Sequence, residues 1–179
     1  KSTYIDTIQK PIPEEGSLWM PEALPRIVLT LEDIINNDQK DIAKKILFSF
    51  LCNEIDYNDL SIIVERAFNF PTPLINLNGR DYILELTHGD TKAFKDIGAR
   101  FSTFMTRYVN DKYNAKIGTF VVATSGDTGG ATVSACNQVN ISNMILYPYN
   151  NISEYQRKQM TNMRFKNTIP LAYEGNFDD

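Results

Sequence analysis

The chain has 179 residues, 42% of them apolar and 22% charged, an ordinary globular composition that excludes disordered, collagen-like and coiled-coil classes. Eighteen basic against twenty-two acidic residues leave a net charge of −4, so no nucleic-acid partner is expected. Two cysteines (Cys52, Cys136) and one histidine (His88) exclude a disulfide framework, a zinc cluster and any mechanism that needs two imidazoles.

No apolar run reaches the length of a membrane span, and the N-terminus lacks a signal-peptide pattern, so a cytoplasmic protein with no membrane partner is expected. The chain opens on Lys1 rather than Met, which reads as a trimmed sequence. Residues 1–29 are rich in proline and hold the single tryptophan, in Gly16-Ser17-Leu18-Trp19-Met20-Pro21. They read as an irregular but ordered arm packed by Leu18 and Trp19.

A helix is predicted over 38–51, capped by Asp38 or Asn37, with Ile42, Ala43, Ile46, Leu47, Phe50 and Leu51 on one face. Asn58 is the expected cap of a second helix, whose apolar stripe is Leu60, Ile63, Val64, Ala67 and Phe68 and which Pro71 and Pro73 close. The pattern then changes. Residues 81–86 read as a strand, and Ile97, Phe101, Phe104, Met105 and Tyr108 mark a long helix. Residues 119–123 read as a strand buried on both faces, 128–139 as a helix, 144–147 as another buried strand, 153–163 as a polar helix capped by Ser153, and 169–173 as a strand with Pro170 at an edge. Alternation at these lengths predicts an α/β fold with a parallel, doubly wound sheet behind a small helical N-terminal unit. The expected divisions are 1–72, mostly helical; 73–110, a strand plus a lysine-bearing helix; and 111–179, part of an αβα domain.

Two segments can carry chemistry. Thr124-Ser125-Gly126-Asp127-Thr128-Gly129-Gly130-Ala131 lies between a predicted strand and a helix, at the carboxyl edge where open α/β sheets bind ligands. It is neither a P-loop nor a dinucleotide fingerprint. It reads either as an anion-binding loop or as a tight turn with Thr128 or Asp127 as its cap. The second segment, residues 84–101, contains Lys92 and Lys95. Lys95 is flanked by Ala93 and Phe94 at the start of the long helix. An apolar helix-start setting favours the nucleophilic amine that Schiff-base chemistry requires, while the bland alternative is a surface lysine snorkelling beside Phe94. His88 reads either as a histidine bonded to backbone or as a general base.

Leu84 to Asp96 resembles the lysine motif of threonine synthases, and Thr124 to Ala131 resembles their glycine loop. Leu146-Tyr147-Pro148, Ser153 to Gln156 and Gln159-Met160-Thr161 are similar to the segment that follows in that family. Glu174-Gly175-Asn176-Phe177-Asp178-Asp179 resembles its Gly-x-Phe-Asp-Asp stretch, and Gly16 to Glu22 its N-terminal signature. The resemblance implies an enzyme of the tryptophan-synthase-like fold type, a carbon–oxygen lyase acting on phosphates that uses pyridoxal 5′-phosphate to turn O-phosphohomoserine into threonine and phosphate. By motif position, Lys95 would bind the cofactor covalently and act as the catalytic base. Ser125, Gly126, Asp127 and Thr128 would face the cofactor. Ser125, Thr128 and His88 would bind substrate. No metal is implied.

Asp90 stands where proline is commoner in the family, and Thr87 where an aromatic is commoner. Both departures bear on the shape of the turn before Lys95. Family members are much longer, and the loop that grips the cofactor phosphate is expected beyond Asp179. The chain therefore reads as an N-terminal piece, inactive alone, with a missing C-terminal half as partner and an uncovered sheet prone to self-association. Other readings are a non-catalytic relic or binding fragment, or a related lyase such as a hydroxy-amino-acid dehydratase or a phospholyase.

Overall fold

A computed structural model describes residues 1–116, 118–161 and 165–175. The elements in chain order are α1 (Tyr4–Gln9), α2 (Leu31–Asn36), α3 (Gln39–Leu51), α4 (Tyr57–Ala67), β1 (Leu74–Asn76), β2 (Tyr82–Leu84), α5 (Lys95–Tyr113), β3 (Phe120–Ala123), α6 (Asp127–Gln138), β4 (Asn143–Pro148), α7 (Glu154–Thr161) and β5 (Thr168–Tyr173).

The N-terminal arm differs from expectation. It contains α1, and α2 follows it closely, each begun by a capping box. Thr3 and Asp6 exchange hydrogen bonds at 3.0 Å in both directions, and Thr30 and Asp33 do the same at 3.0 and 3.1 Å. A Thr-x-x-Asp pair satisfies two orphan N–H groups at once, and so starts a helix where neighbouring prolines hide it from periodicity. Leu18 does not pack the arm, being 84% exposed. Trp19 is fixed instead through its indole N–H, which donates to the Lys10 carbonyl at 2.8 Å.

Asp38 caps α3 as expected, accepting from the Lys40 and Asp41 amides. The cap of α4 is Asp56 rather than Asn58, because the Asp56 carboxylate accepts the Asn58 N–H at 2.8 Å. Strand β2 pairs with β1, a strand the sequence pattern did not reveal, in an antiparallel hairpin closed by Asn78-Gly79. Gly79 has φ +87°, the left-handed backbone that such a turn requires.

The second sheet is parallel, in the order β3-β4-β5, with α6 and α7 as its crossovers. Strand β3 is not buried on both faces: half-buried and exposed residues alternate along it, and Val121 is 61% exposed. The reason is its edge position, together with packing on one side only. Val133 of α6 and Met160 of α7 pack with Ile145 and Val122. The opposite face carries Val121, Met144 and Ile169 in register and is open among the described residues. Pro170 lies in β5, an edge strand as expected.

The larger core joins Leu51, Ile55, Leu60, Ile63 and Val64 to Phe104 and Met105 of α5 and to Cys136, Val139 and Ile141 at the end of α6. It therefore runs across position 72/73. Burial pushes the Cys136 thiol up to about 12, so it packs as a small apolar group. Among the described residues no helix is long and apolar enough to cross a membrane.

Candidate active site

Helix α5 begins at Lys95, and Phe94 before it offers no capping side chain. The preceding turn is held by a carboxylate one residue inside the helix. Asp96, 1% exposed, accepts from the Thr91 amide at 2.9 Å and from the Thr91 hydroxyl at 2.6 Å. The Lys92 amide donates to the Gly89 carbonyl at 3.1 Å, and Lys92 itself adopts a positive φ of 61°. Lys95 follows this closed turn as the first residue of α5. Its ammonium nitrogen lies 5.0 Å from the centre of the Phe94 ring, so the lysine rests on an aromatic face, with its side chain largely exposed.

Across from it runs the loop between β3 and α6. Neither Thr128 nor Asp127 caps that helix: the cap residue is Gly126, with no side-chain cap bond of its own. Thr124, 2% exposed at the end of β3, does the work from outside. Its hydroxyl accepts from the Gly126 amide at 3.0 Å and the Gly129 amide at 3.3 Å. Thr128, in the first turn of α6, lines the neighbouring cleft.

The cleft is about 470 Å³. Leu86, Ile97, Ala99, Phe120 and Val122 form apolar walls, while Thr128 and Thr132 add hydroxyls. Among the described residues that line it, Lys95 alone carries charge. Of the residues singled out in the sequence, Lys95 and Thr128 thus meet in one cavity. The others do not line it. Ser125 is exposed and Gly126 buried behind it. The Asp127 carboxylate accepts from the Gln156 side-chain amide of α7 at 2.8 Å. His88 is bonded to a carboxylate rather than to backbone, its Nε2 lying 2.7 Å from the Glu85 carboxylate, and the pair is partly exposed.

Sequence reading missed Thr124, Asp96, Gln156 and Gln159, which brace both loops. Thr124 adjoins the glycines and could have been found as the last strand residue with a side-chain acceptor. The glutamines carried no local signal, since their partners lie 29 and 68 residues away.

No family model matches the sequence. Threonine synthase of Pseudomonas aeruginosa is 37% identical over 185 residues, covering 98% of this chain and 39% of that protein. The crystal structure of threonine synthase from Escherichia coli superposes with a TM-score of 0.89 at 34% identity, over 99% of this chain and 41% of that one. A pyridoxal-phosphate-bound threonine synthase from Brucella melitensis gives 0.84 at 33%, over 98% and 39%. The chain is similar to the N-terminal part of threonine synthases. It spans about two-fifths of the length of the threonine synthases it matches. The Asn176 to Asp179 end of the Phe-Asp-Asp stretch lies outside the described residues.

The donor set suits the pyridoxal phosphate bound in the Brucella melitensis enzyme. A primary amine is available for an aldehyde, apolar walls for an aromatic ring, and a hydroxyl at a helix start for an anionic oxygen.

Proposed function

We propose that this chain is the lysine-bearing part of a threonine synthase that converts O-phosphohomoserine and water to threonine and phosphate, working in the cytoplasm. The observation that carries the reading is the meeting of Lys95 and Thr128 in one apolar cleft, between a lysine turn and a glycine loop similar to those of threonine synthases over nearly the whole chain. Bound pyridoxal phosphate supplies an electron sink. The chain's residues supply the rest. Lys95 holds the cofactor through its amine and, once released by substrate, moves the proton at the substrate α carbon. Ser125, Gly126, Asp127 and Thr128 approach the cofactor. Ser125, Thr128 and His88 orient the substrate, the start of α6 favouring its carboxylate. The apolar walls suit the flat face of an aromatic ring, while the open cleft admits the water that the reaction consumes.

The test uses the full chain with pyridoxal phosphate. The Lys95 amine condenses with the aldehyde, water leaves, and borohydride then delivers hydride to that carbon to give a stable secondary amine. Peptide mapping is expected to find the adduct on Lys95 in the parent and in Lys92→Ala, and to find none in Lys95→Ala. Labelling of Lys92 instead, or equal labelling in all three, would overturn the reading. With the full-length protein, phosphate release from O-phosphohomoserine checks the substrate.

We also assign to the open sheet face, with Val121, Met144 and Ile169 in line, a tendency of the 179-residue chain to self-associate. A clean monomer mass in light scattering would count against it.

A further inference from the structure

Helix α7 is hydrogen-bonded both to the glycine loop and to the lysine turn. On one side, Gln156 donates its side-chain N–H to the Asp127 carboxylate at 2.8 Å. The Ser153 hydroxyl donates to the Gln156 Oε1 at 2.8 Å, which fixes the amide with its NH₂ group toward Asp127. A Cβ on Gly126 would come within 2.3 Å of the Gln156 amide nitrogen, so a methyl group there would push that amide out of place. One turn along the helix, Gln159 donates to the Thr91 carbonyl of the lysine turn at 2.9 Å. Residues three apart share a helix face, so the two amides project together. Between them and the sheet, fully buried Met160 anchors α7 to Val133 and Ile145.

We propose that α7 is a clamp, and that Gln156 and Gln159 are positioning residues that hold the glycine loop and the lysine turn at a set separation across the cleft. The clamp rests on the function proposed above only for what the separation serves. Neither glutamine lines the cleft. Each acts through its partner: Gln156 through Asp127, next to Thr128, and Gln159 through Thr91, four residues before Lys95. Neutral amides suit the task, since both partners are acceptors and each amide brings a donor without adding charge.

Gln156→Glu and Gln159→Glu keep shape and remove the donor, placing a carboxylate against an acceptor. In the full chain at pH 8, capture of pyridoxal phosphate on Lys95 by borohydride trapping is expected to slow about tenfold in each variant relative to the parent. The gap is expected to close toward pH 5, because a protonated carboxyl can donate again. Melting temperatures show whether the variants remain folded. Capture equal to the parent in folded variants, or a loss that pH does not change, would overturn the proposal. A cofactor-free measurement stands beside it. Amide hydrogen exchange is expected to quicken about tenfold at Gly126 and Gly129 in Gln156→Ala, and at Thr91 and Lys92 in Gln159→Ala, with residues 103–109 of α5 unchanged. Unchanged exchange at those loops overturns the clamp. Absence of any Lys95 adduct in the parent, with the exchange effects present, would sink the functional reading while leaving the clamp standing.

Discussion

Two lysines lie three residues apart in the same turn, and backbone geometry separates their roles. Lys92 takes the left-handed conformation that lets the turn close, whereas Lys95 is the first helical residue and reaches the cleft. The glycines opposite follow the same logic of space. A Cβ on Gly129 would meet the Met160 sulfur at 2.2 Å and the Thr124 methyl at 2.6 Å. Both neighbours are buried and belong to the scaffold of the site, so neither yields easily. Gly129→Ala is therefore expected to destabilise the protein by about 1–3 kcal/mol through overpacking, read as a lowered urea midpoint. Gly98→Ala, with nothing within 4 Å of the new methyl, is the control and should hold or gain stability. The meeting of Lys95 and Thr128 in one cleft was legible in the sequence, because motif order and a strand–loop–helix pattern set both residues apart. The direction of the Asp127 side chain and the capping by Thr124 were not, because hydrogen bonds formed after folding decide both.

At the scale of elements, apolar periodicity located α3, α4, α5, α6 and β4 to within a few residues. It failed for α1, α2 and β1, which are three to six residues long and bury nothing fully, so no stripe exists to detect. Helices α3 and α4 are tied at their surface by charge. Glu65 accepts from Lys40 at 2.8 Å and from Lys44 at 2.6 Å, and Lys44 also meets Asp41 at 3.1 Å. These hydrogen bonds hold the Glu65 carboxyl down to about 2, from an ordinary 4.5. A carboxylate with a depressed folded value lends stability that is fully present above its unfolded value and is lost as pH falls through the folded one. The pair therefore contributes above about pH 4.5 and loses that contribution toward pH 2. Glu65→Gln is expected to melt slightly below the parent at pH 6 and level with it near pH 2, the difference being small because the group is exposed. A melting difference that does not change with pH would refute the assignment.

Across the whole molecule, one buried side chain adds polar bonds to the shared apolar core that joins the helical unit to the site. Arg100 of α5, 2% exposed, donates its Nε–H to the Ala67 carbonyl at 2.7 Å and a terminal N–H each to the Arg66 carbonyl and the Asn69 side chain, both at 2.7 Å. It thereby closes the C-terminal end of α4, where carbonyls lack helical partners and the helix dipole favours a cation. Its other terminal nitrogen donates to Asp90 at 3.1 Å, and Asp90 also accepts from Ser134 at 3.0 Å and from Gln138, both on α6. Asp90 is thus the hub linking the lysine turn to α6. Burial lowers the Arg100 value from its ordinary one while Asp90 and Asp96 raise it. A guanidinium remains charged under such opposition, and its planar fork serves four acceptors that a lysine could not reach together. Arg100→Met leaves those acceptors without their donor and is expected to cost about 3 kcal/mol, with Arg100→Lys recovering only part of it. The core that crosses position 72/73 adds a sharper expectation: the loss falls on a single transition. Calorimetry of the parent and Arg100→Met should each show one peak, the second at lower temperature. Two peaks in the parent, with the substitution shifting only one, would instead establish residues 1–72 as a separately folding unit.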